Sequence, residues 1–139
     1  MATTRRTKTA PPQRLILDSG AVIALSRNDM RARATLAAAR EAGVEIFIPS
    51  VVVAETVRGS AKDASVNRVI RAVGQVTAVD EGTGRVAGAL LGSTQSTSTI
   101  DALVVASMID LGGGVVLTGD PGDLGPLAGG HPEVVIRAL

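Results

Sequence analysis

The sequence of 139 residues has no cysteine, no tryptophan and no tyrosine, and a single phenylalanine and a single histidine. The missing cysteines exclude a disulfide framework, thiolate chemistry and zinc sites built on sulfur. His131 stands alone in a Gly-Gly-His-Pro loop, which excludes a zinc site built on several imidazoles; it reads as an exposed loop residue. With Phe47 the one aromatic residue, the core has to be aliphatic, assembled from Val, Ile, Leu and Ala. Long apolar runs are absent as well. The longest, Ala102–Ile109, is interrupted by Ser107 and falls far short of the ~18–20 residues of a membrane-spanning helix. Residues 1–13 carry charge but no apolar stretch, so no secretory signal is expected and a soluble cytoplasmic protein is the default.

The composition, 45% hydrophobic and 19% charged, is that of a globular chain. Its length corresponds to one domain. The net charge of +1 conceals an asymmetry. Arg5, Arg6, Lys8 and Arg14 lie in the first 14 positions, which hold no acid; from Leu15 onward 10 basic residues face 13 acidic ones. Residues 1–13 are therefore expected as a disordered basic tail, and 14–139 as a single domain with a mildly acidic body. A basic face for nucleic acid is not evident.

Short apolar runs alternate with helical stretches. Strands are expected at Arg14–Leu17, Glu45–Ile48, Gln75–Val79, Val115–Thr118 and Val134–Arg137. Helices are expected from Ala21, over Met30–Ala42 up to Gly43, over Val51–Arg58 with Ser50 as N-cap, and over Ala64–Val73, Glu81–Leu91 and Ile100–Leu111. Gly119–Gly130, rich in Gly and Pro, reads as a loop with one short turn near Leu124–Leu127. Strands separated by helices argue for a parallel sheet covered on both faces. Ligands of such sheets bind beyond the carboxyl ends of the strands.

The acids draw attention next. Asp18 follows Leu15-Ile-Leu17, and Asp120 and Asp123 follow the fourth strand. Glu55 and Asp101 lie inside apolar helices, in Val51-Val-Val-Ala-Glu-Thr-Val57 and Thr99-Ile-Asp-Ala-Leu-Val-Val105. Each has an ordinary structural reading. Asp18 and Asp120-Pro-Gly-Asp123 suit turns, Ser98-Thr-Ile-Asp101 suits a capping box, and Glu55 suits a pair with Arg58. Their conjunction at one sheet edge is different. Two unit charges 4 Å apart cost about 4 kcal/mol at an effective dielectric of ~20. Such a cluster persists with hard divalent cations between its oxygens, or with some acids protonated.

Four segments together carry a resemblance: Leu15-Ile-Leu-Asp-Ser-Gly-Ala-Val-Ile-Ala-Leu25, Ile48-Pro-Ser-Val-Val-Val-Ala-Glu-Thr-Val-Arg-Gly59, Thr99-Ile-Asp-Ala-Leu-Val-Val-Ala106 and Leu117-Thr-Gly-Asp-Pro-Gly-Asp-Leu124. In this order they resemble the PIN-domain ribonucleases, and among them the toxins of VapBC-type toxin–antitoxin pairs. The resemblance implies a three-layer α/β/α sandwich around a five-stranded parallel sheet. It implies a Mg²⁺ or Mn²⁺ site in which Asp18, Glu55, Asp101 and Asp120 match the acidic quartet and Asp123 a further acid. Thr118 matches a small hydroxyl residue before the late acids, and Ser19 the hydroxyl residue after the first. Gly20 departs from the pattern by supplying no second hydroxyl. The implied activity is hydrolysis of RNA by metal-activated water; the implied partners are RNA, a cognate antitoxin and a second copy in a homodimer.

The residue inventory agrees with that chemistry. One histidine cannot form a paired-histidine ribonuclease site, and His131 in its loop leaves Ser19 and Ser50 without a catalytic triad. Position 20 is Gly, which excludes a haloacid-dehalogenase pair of acids, and no phosphate-binding P-loop motif occurs. With Phe47 assigned to the core, RNA has no stacking platform. Its phosphates would fall to metal and to basic residues, with Arg27, Arg31, Arg58, Lys62, Arg68 and Arg71 as candidates. The competing reading is a catalytically inactive module of the same fold that works through its protein partner.

Overall fold

A computed structural model describes residues 13–139. The first 12 positions, most of the expected basic tail, lie outside the described residues. Gln13 already belongs to the folded body, because its carbonyl accepts from the Glu45 N–H at 3.0 Å.

Five parallel strands form one sheet: β1 (Arg14–Leu17), β2 (Glu45–Pro49), β3 (Val76–Thr77), β4 (Gly114–Thr118) and β5 (Val134–Ala138). Their spatial order is β3-β2-β1-β4-β5. The helices are α1 (Ser19–Ser26), α2 (Met30–Glu41), α3 (Ser50–Thr56), α4 (Ala64–Val73), α5 (Glu81–Thr94), α6 (Thr99–Asp110) and α7 (Pro121–Ala128), with a 3₁₀ turn at Ala61–Asp63. α1 packs on α2, α3 and α4, while α5, α6 and α7 pack on one another. These two groups form the outer layers of the expected α/β/α sandwich.

The sheet is as aliphatic as the composition requires. Ile16, Leu17, Ile48, Val116 and Leu117 are fully buried, and Phe47 is half-buried against them. α6 is apolar almost all round, with Ala102, Val104, Val105, Ala106 and Met108 buried, so it lies in the interior. Its partner α5 runs antiparallel to it: the Thr83 hydroxyl near the start of α5 bonds Asp110 at the end of α6. That pairing sends the start of α6 to the carboxyl edge of the sheet.

Three expectations need correction. Ser50 does not cap α3 but begins it; Pro49 holds the capping position, and the Ser50 hydroxyl accepts from the Val79 N–H instead. The third strand shrinks to two residues on the sheet's edge. The Gly/Pro-rich segment after β4 is a helix of eight residues, α7, because Pro121 occupies a first-turn position that needs no N–H and Leu124 and Leu127 are driven into the core.

Candidate active site

The strand order reverses between β1 and β4. The chain moves from β1 outward to β2, and from β4 outward to β5 on the other side. Loops leaving the carboxyl ends of β1 and β4 therefore diverge and leave a crevice, the switch point of an open α/β sheet. The register pairs Leu17 with Leu117, so Asp18 and Thr118 follow side by side.

Asp18 caps α1, its Oδ1 accepting from the Ala21 N–H at 2.9 Å. It is 7% exposed. Burial pushes its carboxyl above the ordinary range, opposed by hydrogen bonds from the Thr118 hydroxyl and the Ala21 and Gly119 N–H groups; the charge of Asp101 pushes it further up. Thr118 is fully buried and serves two acids, since its Oγ1 also accepts from the Asp120 N–H at 2.8 Å. Gly20 and Gly119 close the floor. A Cβ on Gly20 would lie 3.0 Å from both Cα and N of Gly119. The position that departs from the family pattern is thus a point of backbone contact.

Glu55 is exposed near the end of α3, where the Ser19 hydroxyl donates to its Oε1. The expected pair with Arg58 does not form, and the Arg58 guanidinium donates to the carbonyls of Ala54 and Val57. Asp101 lies in the first turn of α6, half-buried, with Ser98 Oγ 2.7 Å from its Oδ2. Asp120 holds the capping position of α7 without capping it. Asp123, one turn on, has its carboxyl pushed up, chiefly by Asp120 through a side-chain hydrogen bond and through its charge.

Asp18, Ser19, Gly20, Glu55, Asp101, Val104, Gly119 and Asp120 line a pocket of about 300 Å³. All four acids of the expected quartet are there, and Asp123 stands beside Asp120 outside the lining. No Lys or Arg lines the pocket. Among the described residues the one Lys or Arg ion pair is Arg85–Glu81, and the His131 imidazole meets Glu133; neither contact is at this site. Arg68 is turned to Ser26 and Asn28. No three carboxylates among the described residues already converge on one point. They line the walls, as uncompensated like charges must. An all-oxygen donor set without a neighbouring cation is the chemistry that suits a hard divalent ion, and Asp18, Glu55, Asp101 and Asp120 supply such oxygens to one pocket. The contribution of Ser98 escaped the sequence reading, where it figured only as a cap.

A parallel sheet with carboxylates gathered at its switch point, between two helical layers, defines an α/β/α domain with an acidic pocket. Residues 15–122 match the PIN domain, and the chain belongs to that family. Solved structures share the fold. VapBC2 of Rickettsia felis, bound to a DNA fragment from its promoter, is 12% identical, with a TM-score of 0.74 over 91% of this chain and 98% of that one. A toxin–antitoxin complex from Klebsiella pneumoniae is 19% identical, with a TM-score of 0.67 over 87% and 95%. DNA-bound VapBC from Salmonella typhimurium is 15% identical, with a TM-score of 0.65 over 90% and 97%. No curated protein matches the sequence. Among the described residues no helix is long and apolar enough to cross a membrane.

Proposed function

We propose that this chain is a ribonuclease dependent on Mg²⁺ or Mn²⁺ and the toxin of a toxin–antitoxin pair. The observation that carries the reading is the pocket, which four carboxylates line with no basic side chain among them. A cation bound there would supply positive charge to the phosphate oxygens and lower the pKa of the attacking water.

Asp18, Asp101 and Asp120 would be its ligands, directly or through water. Asp18 is held by its N-cap bond and by Thr118, and Asp120 by its own N–H on the same threonine. Glu55 is anchored through Oε1 by Ser19, which leaves Oε2 to ligate or to orient the attacking water. Asp123, whose carboxyl is pushed up by its neighbour Asp120, would join as an auxiliary ligand. The pocket offers no ring for stacking and one apolar side chain, Val104, so the backbone phosphates rather than the bases are what it grips. The neighbours crystallised with antitoxins support a cognate antitoxin as partner. A homodimer is part of the same proposal.

The test is cleavage of total RNA by the purified protein with Mg²⁺, with Mn²⁺ and with chelator, beside Asp101→Asn. Discrete metal-dependent products, absent with the variant, are expected. No product in any lane from folded, antitoxin-free protein overturns the reading in favour of an inactive binding module.

A further inference from the structure

The segment Ser93-Thr-Gln-Ser-Thr-Ser-Thr99 joins α5 to α6 and carries six hydroxyls in seven residues. Ser98 holds the N-cap position of α6, where a serine ordinarily accepts from a backbone N–H of the first turn. It does not do so here. No side-chain cap bond forms, and the Ser98 hydroxyl instead donates to Asp101 Oδ2 at 2.7 Å. The reciprocal half of a capping box is missing too, because the Ser98 N–H goes to Ser96 Oγ at 3.1 Å. Ser96 is tied back in turn, its N–H meeting Thr94 Oγ1 at 3.4 Å. Thr94 Oγ1 donates to the Leu90 carbonyl inside α5 at 2.7 Å. A run of three hydroxyl side chains thus links the end of α5 to one oxygen of a pocket carboxylate.

We propose that Ser98 is a positioning residue for Asp101. It fixes one carboxylate oxygen and leaves Oδ1 for a cation in the pocket, with Ser96 and Thr94 bracing the loop behind it. The proposal rests on the reading of the pocket as a divalent-cation site. The chemistry follows the general behaviour of metal-site carboxylates, whose hydrogen-bond partners orient them and whose removal costs 10–100-fold in affinity or activity. The serine's failure to cap is what separates this role from a structural one. A capping serine would be missed by the helix, whereas this one would be missed by the carboxylate.

The experiment is calorimetric titration of Mn²⁺ into the full chain, with the metal-free melting temperature measured alongside. The variants are Ser98→Ala, Ser98→Gly and Ser98→Thr. Gly is tolerated at N-caps within a few tenths of a kcal/mol, so Ser98→Gly keeps the test available if Ser98→Ala fails to fold. Mn²⁺ affinity is expected to fall about 10-fold or more in Ser98→Gly and Ser98→Ala. Ser98→Thr, which retains the hydroxyl, is expected to restore it, and the metal-free melting temperatures should stay close to the parent's. Affinity in a folded Ser98→Gly within about twofold of the parent overturns the positioning role while leaving the cation site standing. A parent that takes up no Mn²⁺ overturns both the site and the role.

Discussion

Asp18→Asn is expected to raise the stability of the metal-free protein and to lower it, relative to the parent, once divalent metal is added. The first half follows from burial. Asp18 is 7% exposed, and the loss of hydration outweighs three hydrogen bonds in setting its pKa, with Asp101 adding repulsion. An acid whose pKa is raised by folding binds its proton more tightly in the folded state. At pH values above that pKa the ionised group therefore subtracts from stability. Asparagine removes the charge and keeps an oxygen for the Ala21 N–H, and it caps helices about as well as aspartate.

The second half follows from ligand linkage. At a metal concentration of 100 times Kd, the parent gains about 2.7 kcal/mol. For a domain of this size each kcal/mol moves Tm by roughly 3–5 °C, so the parent should rise by about 8–13 °C. The variant, short of a ligand, should not follow, and the two melting curves should exchange order. Tryptophan and tyrosine are absent, so calorimetry or far-ultraviolet circular dichroism is the suitable assay, in chelator and in excess Mn²⁺. An Asp18→Asn variant that melts below the parent in chelator would show the carboxylate to be a net structural contact. Equal stabilisation of both proteins by Mn²⁺ would refute the assignment of Asp18 as a ligand.

Two further predictions concern the same corner of the sheet. Thr118→Val keeps the shape of a fully buried side chain but strips the oxygen that serves Asp18 and the Asp120 N–H; a loss of about 1–3 kcal/mol in denaturant unfolding is expected, with weaker Mn²⁺ binding, and unchanged values in both would refute the link. On acidification from neutral pH, the metal-free Tm should first rise as Asp18 and Asp123, both raised, take up protons. It should then fall below about pH 4, as Asp63 and Asp80, held low chiefly by the backbone N–H groups of Arg58 and Thr83, lose the stability they contribute when ionised; a steady fall from neutral pH would contradict the first limb.

Much of this architecture is legible in the sequence because period and punctuation agree. α2 and α4 end at Gly43 and Gly74, which adopt φ of 73° and 75°, and β1 and β4 carry the apolar runs Leu15–Leu17 and Val115–Leu117. α7 is not legible. Pro121 suits a helix start, but Gly122, Gly125 and the internal Pro126 speak against a helix, and the burial of Leu124 and Leu127 overrides them. The two-residue β3 pairs with β2 alone, through Val76 and Thr77, although the expected run extended to Val79. In the pocket, Asp18 and Asp120 are readable from strand ends. Asp101 is readable only if the α5–α6 connection lies at the carboxyl edge, which depends on how those two helices pair. Ser98 is the hardest. Ser-x-x-Asp is the same string whether the serine caps the backbone or holds the carboxylate.

Helix geometry offers a structural account of three of the four acids, and its failure on the fourth is informative. Asp18 caps α1, Asp101 lies in the first turn of α6, and Asp120 holds the cap position of α7. Each faces the positive end of a helix dipole, which stabilises a carboxylate by about 0.3–1 kcal/mol. That is small beside the ~4 kcal/mol repulsion of one close pair at an effective dielectric of ~20, so dipoles alone do not account for gathering them. Glu55 has no such compensation. It is the penultimate residue of α3, at the negative end, and it has no cation beside it, only the Ser19 hydroxyl. A glutamate at that position costs the helix rather than supporting it. The proposed cation in the pocket would return what the helix loses, and Glu55→Gln should separate the two contributions: metal-free stability unchanged or higher, Mn²⁺-induced stabilisation reduced. A metal-free loss of stability in Glu55→Gln, with the Mn²⁺ response intact, would mean that the Ser19 contact is the residue's whole purpose.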